Sequence, residues 1–108
     1  MHLFTTFDQF DEVRQKFQQA ADLGLDIYIT ELDVSFPEGS TQRDFDLQGQ
    51  IYREVMSICL EQPRCKALQT WGFTDQYSWR ERLQPLMLDS RYQPKPGYFQ
   101  LQQTLSGQ

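Results

Sequence analysis

The sequence has little of what metal-binding and redox proteins need. It contains one histidine, His2, and two cysteines, Cys59 and Cys65, whose separation of six positions is too wide for the Cys-x-x-Cys pattern. We therefore expect no metal site and no other cofactor. The residues alone leave open whether the two cysteines form a disulfide or remain free thiols.

Basic residues are also scarce, with 10 Lys and Arg against 15 Asp and Glu and a net charge of −5. A nucleic acid partner is not expected, because phosphate contact needs clustered basic side chains. The chain lacks a run of eighteen apolar residues, so no membrane span is expected. Its N-terminus shows no basic segment followed by an apolar one, so no signal peptide is expected in this sequence.

The composition is otherwise that of a globular domain. The 108 residues allow one domain at most, and 39% apolar with 23% charged residues argues against disorder. Aromatic residues make up 14%, which exceeds what a small core needs. Trp and Tyr rings are good platforms for the flat apolar faces of sugars.

Periodicity and turn signals predict an alternation of helices and strands. Three helices are expected, over residues 7–23, 43–61 and about 94–105, with strands over 26–34 and 66–73. This order predicts an α/β fold built from β/α units on a parallel sheet. Two parallel strands would leave sheet edges and apolar faces uncovered, so the pattern indicates part of a larger fold.

The first predicted strand, DIYITELDV, ends on two acids. Glu31 and Asp33 are two residues apart, so on a strand their side chains point to the same side. They are expected at the carboxyl end of the strand, where β/α barrels place catalytic groups. The alternative is that both are solvated residues where a strand leaves the core.

Two tryptophans follow the second predicted strand in TWGFTDQYSW, where Asp75 and Tyr77 lie between Trp71 and Trp79. Either indole alone is most simply a core residue. Two indoles at one strand exit, with an acid pair at another, better describe a sugar-binding cleft, because pyranose rings stack on indoles and carboxylates attack the anomeric carbon.

The motifs ITELDV, TWGFTDQYSW and QPLMLDSRYQPKPGY together resemble the C-terminal part of glycoside hydrolase family 10, the retaining endo-β-1,4-xylanases. The resemblance runs over essentially the whole chain. It implies a partial (β/α)8 TIM barrel, in which residues 1–108 cover the end of strand six to strand eight with their helices.

The resemblance also implies roles for individual residues. Glu31 is expected to be the catalytic nucleophile, His2 to hydrogen-bond it, and Asp33 to orient that histidine. Trp71 and Trp79 are expected to wall a sugar subsite, and Cys59 and Cys65 to form a disulfide. Without the resemblance, a lone histidine near a terminus would be assigned no function.

The family's second catalytic glutamate, the general acid/base, belongs to a strand that this sequence does not contain. We therefore expect a hydrolase fragment that is nearly inactive alone. Expected partners are xylan or xylo-oligosaccharide, and either a second copy or the N-terminal part of the barrel. A catalytically silent module that self-associates or binds xylo-oligosaccharide is the alternative. For the parent enzyme, secretion is expected.

Overall fold

The computed structural model describes residues 1–107. Its elements follow in the order β1 (His2–Phe4), α1 (Phe10–Asp22), β2 (Ile27–Ser35), α2 (Phe45–Glu61), β3 (Cys65–Thr70) and α3 (Pro96–Leu105). Two short 3-10 turns, Asp75–Tyr77 and Glu81–Leu83, lie in the long loop between β3 and α3. The alternation predicted from the sequence is therefore confirmed.

The three strands form a parallel sheet in the order β1-β2-β3. Because all three run in one direction, their carboxyl ends meet at one edge of the sheet. The hydrophobic pattern alone predicted no strand at the N-terminus, since three residues are too few to show an alternation. Only the family resemblance placed a strand end there.

Two predicted boundaries are wrong by three residues, and the others agree to within two. Helix α1 begins at Phe10 rather than near Phe7, because the Phe7 amide donates a hydrogen bond to the Phe4 carbonyl and closes a turn first. Strand β3 ends at Thr70 rather than Phe73. There the Thr70 hydroxyl donates to the Gly72 carbonyl, and Gly72 takes a φ of 99°, which turns the chain out of the sheet.

The core lies between the sheet and helix α2. It is formed by apolar side chains of β2, α2 and α3: Ile29, Leu32, Val34, Ile51, Tyr52, Val55, Met56, Cys59 and Leu101. Leu47, an apolar residue near the start of α2, is 39% exposed. The buried Gln48 takes an inward position instead, and its amide donates to the carbonyls of Val34 (2.8 Å) and Gln84 (2.7 Å).

Helix α2 is also fastened to its neighbours at both ends. Near its start, Gly49 packs directly on the backbone of α3 at Pro96 and Gly97. At its end, a disulfide joins Cys59 to Cys65, the first residue of β3, with 5.1 Å between the two Cα atoms. The disulfide implied by the resemblance is thus present, and α2 is held against both the last strand and the last helix.

Within residues 1–107, no helix combines the length and the apolar character needed to cross a membrane.

Candidate active site

The strand order places His2 beside Asp33. The two residues are register partners in the β1–β2 ladder. Glu31 lies where the pairing of β2 with β3 is irregular, between Ile29 and Leu32, and its own φ is 56°. Few non-glycine residues adopt a positive φ, so Glu31 occupies a strained position at the edge where the strands end.

His2 contacts both acids, one with each ring nitrogen. Its Nδ1 lies 2.9 Å from Asp33 Oδ1, and its Nε2 lies 3.1 Å from Glu31 Oε1. Because an ionised carboxylate only accepts hydrogen bonds, the two bonds exist together when both ring nitrogens carry hydrogen. The two contacts, one on each ring nitrogen, fix the plane of the ring.

The two acids differ sharply in their access to solvent. The Glu31 side chain is 47% exposed, whereas that of Asp33 is 0% exposed. A reacting molecule could reach Glu31 but not Asp33. The exposed acid is therefore available for chemistry, and the buried acid can act only through the groups it binds.

Trp79 joins the same group of side chains. Its indole Nε1 donates a hydrogen bond of 2.7 Å to Asp33 Oδ2, and its ring meets the edge of the His2 ring at 4.9 Å between centroids. Trp79 remains 55% exposed. An indole that is held in place yet open on one side is a suitable platform for a sugar ring.

Trp71 is placed at the end of β3, where its amide donates to the Leu32 carbonyl and its side chain is 49% exposed. A second half-exposed indole therefore lies at the same edge of the sheet, where the strands end. That the two indoles wall one sugar subsite stays a prediction.

The sequence reasoning missed Arg80, which contacts Trp79, and Phe4, which contacts Arg80. The Arg80 guanidinium lies 4.0 Å from the centre of the Trp79 ring and 5.0 Å from that of Phe4. Stacking of this kind is favourable because the ring face is negative. Their positions in the sequence could have indicated both residues, since Arg80 follows Trp79 directly and Phe4 is two residues from His2 on the same strand.

Asp75, which lies between the tryptophans in the sequence, has a different environment. It is buried and accepts hydrogen bonds from the Leu86 amide at 2.7 Å and from the Lys95 ammonium at 2.9 Å. Its carboxylate therefore organises the loop that carries Trp79. Among residues 1–107, no group of three or more His, Cys, Asp or Glu could hold a metal ion.

An exposed carboxylate beside an imidazole, with half-exposed indoles at the carboxyl ends of parallel β/α strands, is an arrangement that suits sugar chemistry. Comparison with known proteins makes the class specific. Residues 1–104 match the model of glycosyl hydrolase family 10, and the chain belongs to this family. The resemblance seen in the motifs is confirmed.

Related sequences and structures agree with this assignment. The endo-1,4-beta-xylanase B of Thermotoga neapolitana is 37% identical over 97% of this chain, which corresponds to 32% of that relative. Xylanase 10B of Thermotoga petrophila RKU-1, solved in complex with xylobiose, superposes with a TM-score of 0.91 at 38% identity, covering 99% of this chain and 35% of the other. Native xylanase 10B of Thermotoga maritima gives 0.90 at 37% identity. The chain thus spans about a third of the length of these relatives.

Proposed function

We propose that residues 1–108 are the C-terminal part of the catalytic barrel of a retaining endo-β-1,4-xylanase, from the end of strand six to strand eight. Three observations support this proposal: the family membership of the chain, the parallel order of its strands, and the fact that it spans about a third of its relatives. Xylan is the proposed substrate of the parent enzyme, in keeping with the names of its relatives.

Glu31 is the proposed nucleophile, and its difference from Asp33 in exposure is the observation that carries this assignment. In a retaining glycosidase, an ionised carboxylate attacks the anomeric carbon and forms a covalent glycosyl intermediate. Glu31 is exposed and hydrogen-bonded by His2, whereas Asp33 is buried with both oxygens already bound. Only the first of these carboxylates can meet a sugar.

The reaction also needs a second catalytic group, a general acid, from outside this part of the barrel. When the Glu31 oxygen bonds to the anomeric carbon, the bond to the leaving oxygen breaks, and that oxygen must take a proton from a general acid. Asp33 and Asp75 are both buried and paired, so neither suits the role. Loss of acid/base assistance alone removes a factor of about 10²–10⁴, so we expect almost no hydrolysis of xylan.

A mechanism-based inhibitor tests the nucleophile directly. A 2-deoxy-2-fluoro xylobioside with a dinitrophenolate leaving group needs little protonation, because the phenolate departs with the electron pair of the broken bond. Intact mass spectrometry should show one glycosyl adduct on the wild-type chain and none on Glu31→Gln. An unmodified wild-type chain that is folded would contradict a working nucleophile pocket in this chain.

A second candidate, a catalytically silent module that self-associates, is favoured by one apolar surface. A groove of about 360 Å³ between α2, β3 and α3 is lined mainly by apolar side chains, among them Met56, Leu68, Leu101 and Leu105. Sedimentation equilibrium distinguishes the cases. Reversible dimers that Leu105→Ser dissociates would support self-association, and a monomer at all concentrations would contradict it.

Secretion of the parent enzyme is a further part of the proposal. Disulfides persist in oxidising compartments and are rare where thiols are kept reduced, and the Cys59–Cys65 bond fits the first case. Alkylation of the purified chain without reductant should leave both cysteines unmodified. Labelling of both thiols in freshly isolated protein would remove this support.

A further inference from the structure

Both oxygens of the buried Asp33 carboxylate are used, each by a different functional side chain. Oδ1 lies 2.9 Å from His2 Nδ1, and Oδ2 accepts from Trp79 Nε1 at 2.7 Å. The two partners come from sequence positions 31 residues before and 46 residues after Asp33. A single carboxylate therefore connects the histidine that touches Glu31 with the indole of the exposed platform.

This arrangement fixes the rotation of the carboxylate. A bond to an ionised acceptor is shorter and stronger than a neutral one, and burial strengthens it further. With the Trp79 bond in place, Asp33 can turn only by breaking a charge-assisted bond away from solvent. Its other oxygen is thereby kept in line with the His2 ring.

Trp79 is itself restrained on more than one side. The Arg80 guanidinium covers its ring at 4.0 Å, and the His2 ring meets it edge-on, with 63° between the two planes. An indole held in this way presents its N–H in a fixed direction. It is a rigid support for the carboxylate rather than an adaptable surface group.

From these contacts we propose that Trp79 is a positioning residue for Glu31, acting through Asp33 and His2, in addition to its proposed part in sugar binding. The proposal rests on the nucleophile assignment made above. Removal of the indole N–H should loosen Asp33, release the His2 ring, and leave Glu31 without a fixed hydrogen-bond donor. Trp71, whose ring does not bind Asp33, should have no such effect.

The chain offers an unusually clean spectroscopic test, because it has one histidine and two tryptophans. In ¹⁵N-labelled wild-type chain, the His2 Nδ1–H cross-peak should persist in water, since its hydrogen is held by a buried carboxylate. Trp79→Phe keeps an aromatic ring but removes the donor, and this cross-peak should disappear. Trp71→Phe is the matched control and should retain it.

The same contact can be observed from its other end. Asp33→Asn should move the Trp79 indole N–H resonance upfield and leave the Trp71 resonance in place. This second variant decides the question if Trp79→Phe does not fold. An unchanged His2 cross-peak in folded Trp79→Phe, or an unshifted Trp79 indole in Asp33→Asn, would overturn the proposal.

A double-mutant cycle then tests whether the effect reaches the nucleophile. The rate of adduct formation with the fluoro-xylobioside should fall on the order of tenfold when Trp79→Phe is made in the wild-type chain. When Trp79→Phe is added to the Asp33→Asn variant, the rate should fall little below that of Asp33→Asn alone. Equal losses in both backgrounds would mean that Trp79 acts on the sugar alone. If the wild-type chain forms no adduct, the nucleophile assignment fails for this chain, and the spectra still decide the positioning role.

Discussion

Gly49 of α2 and Gly97 of α3 bring two helix backbones into direct contact. A Cβ atom on Gly49 would lie 3.1 Å from the Gly97 nitrogen and 3.1 Å from the Pro96 carbonyl carbon, closer than most real contacts of this kind. A Cβ on Gly97 would press on the Tyr52 ring at 3.2 Å. The pair sets how closely the last helix packs on the core.

We expect Gly49→Ala to destabilise the chain, although alanine is the better helix former by about 1 kcal/mol. Forcing α3 away from α2 should outweigh that gain, with a net loss of about 1–3 kcal/mol in the free energy of unfolding. Urea denaturation measures it, with the exposed neighbour Gln50→Ala as control. A Gly49→Ala variant as stable as this control would show that the helices separate without cost.

Lys95→Met should be strongly destabilising because it leaves the buried Asp75 without its cation. Burial raises the pKa of Asp75 and lowers the pKa of Lys95, and in each case the partner only partly offsets the burial. Loss of one partner of a buried pair typically costs about 3–5 kcal/mol. In urea unfolding, the double variant Asp75→Asn with Lys95→Met should regain at least half of the stability that Lys95→Met loses. If the losses of the two single variants simply add in the double variant, the two residues do not stabilise the fold as a pair.

The positive φ of Glu31 predicts an unusual preference for glycine. At a φ of 56° a side chain is strained, so Glu31→Gly should be more stable than Glu31→Ala by about 1 kcal/mol. The neighbouring Thr30, which does not have a positive φ, should show the reverse order for the same two substitutions. Thermal unfolding of the four variants checks both orders, and an identical ranking at the two positions would rule out local strain at Glu31.

The disulfide should contribute about 2 kcal/mol, the entropy expected for closing so short a loop. Cys59→Ala with Cys65→Ala is expected to lower the midpoint of thermal unfolding. A reductant should lower that of the wild type and leave the double variant unchanged. If the reductant lowers the unfolding midpoint of both proteins equally, loss of the disulfide is not the cause of its effect.

Asp89 provides a prediction of pH dependence. Hydrogen bonds from the amides of Gln93 and Arg91 hold the pKa of Asp89 below its usual range. Its stabilising effect is therefore present above about pH 4, the value for an unfolded aspartate, and is lost as the pH falls through the lower folded pKa.

Asp89→Asn keeps an acceptor at this position but does not titrate. The stability advantage of the wild type over this variant should therefore shrink on acidification. Thermal midpoints of both proteins, measured from neutral pH into the acid range, test this. A difference that stays constant with pH would assign the acid sensitivity to other groups.

Much of the site could be predicted because its parts are local. Glu31 and Asp33 share a strand end, and the apolar run before them indicated which end of the sheet they occupy. His2 gained a role only through the family motif, since its pairing with Asp33 spans 31 residues and leaves no periodic signal.

The contacts that hold the site rigid could not be predicted. The bond from Trp79 to Asp33 crosses 46 residues and depends on the path of the irregular loop after β3. The left-handed backbone at Glu31 also gave no signal, because glutamate is not a residue that favours it. Hydrophobic periodicity reports which face is buried, and neither feature changes that pattern.

The bridge between Cys59 and Cys65 also has a consequence for limited proteolysis. Arg64 is exposed within the segment that the bond closes, so a tryptic cut after Arg64 would fall inside this closed segment. The two pieces would stay covalently linked through sulfur. Such a cleaved chain would migrate as one band in a non-reducing gel and as two bands after reduction. Cleavage outside the closed segment would give two bands in both gels, so the comparison identifies a cut at this turn.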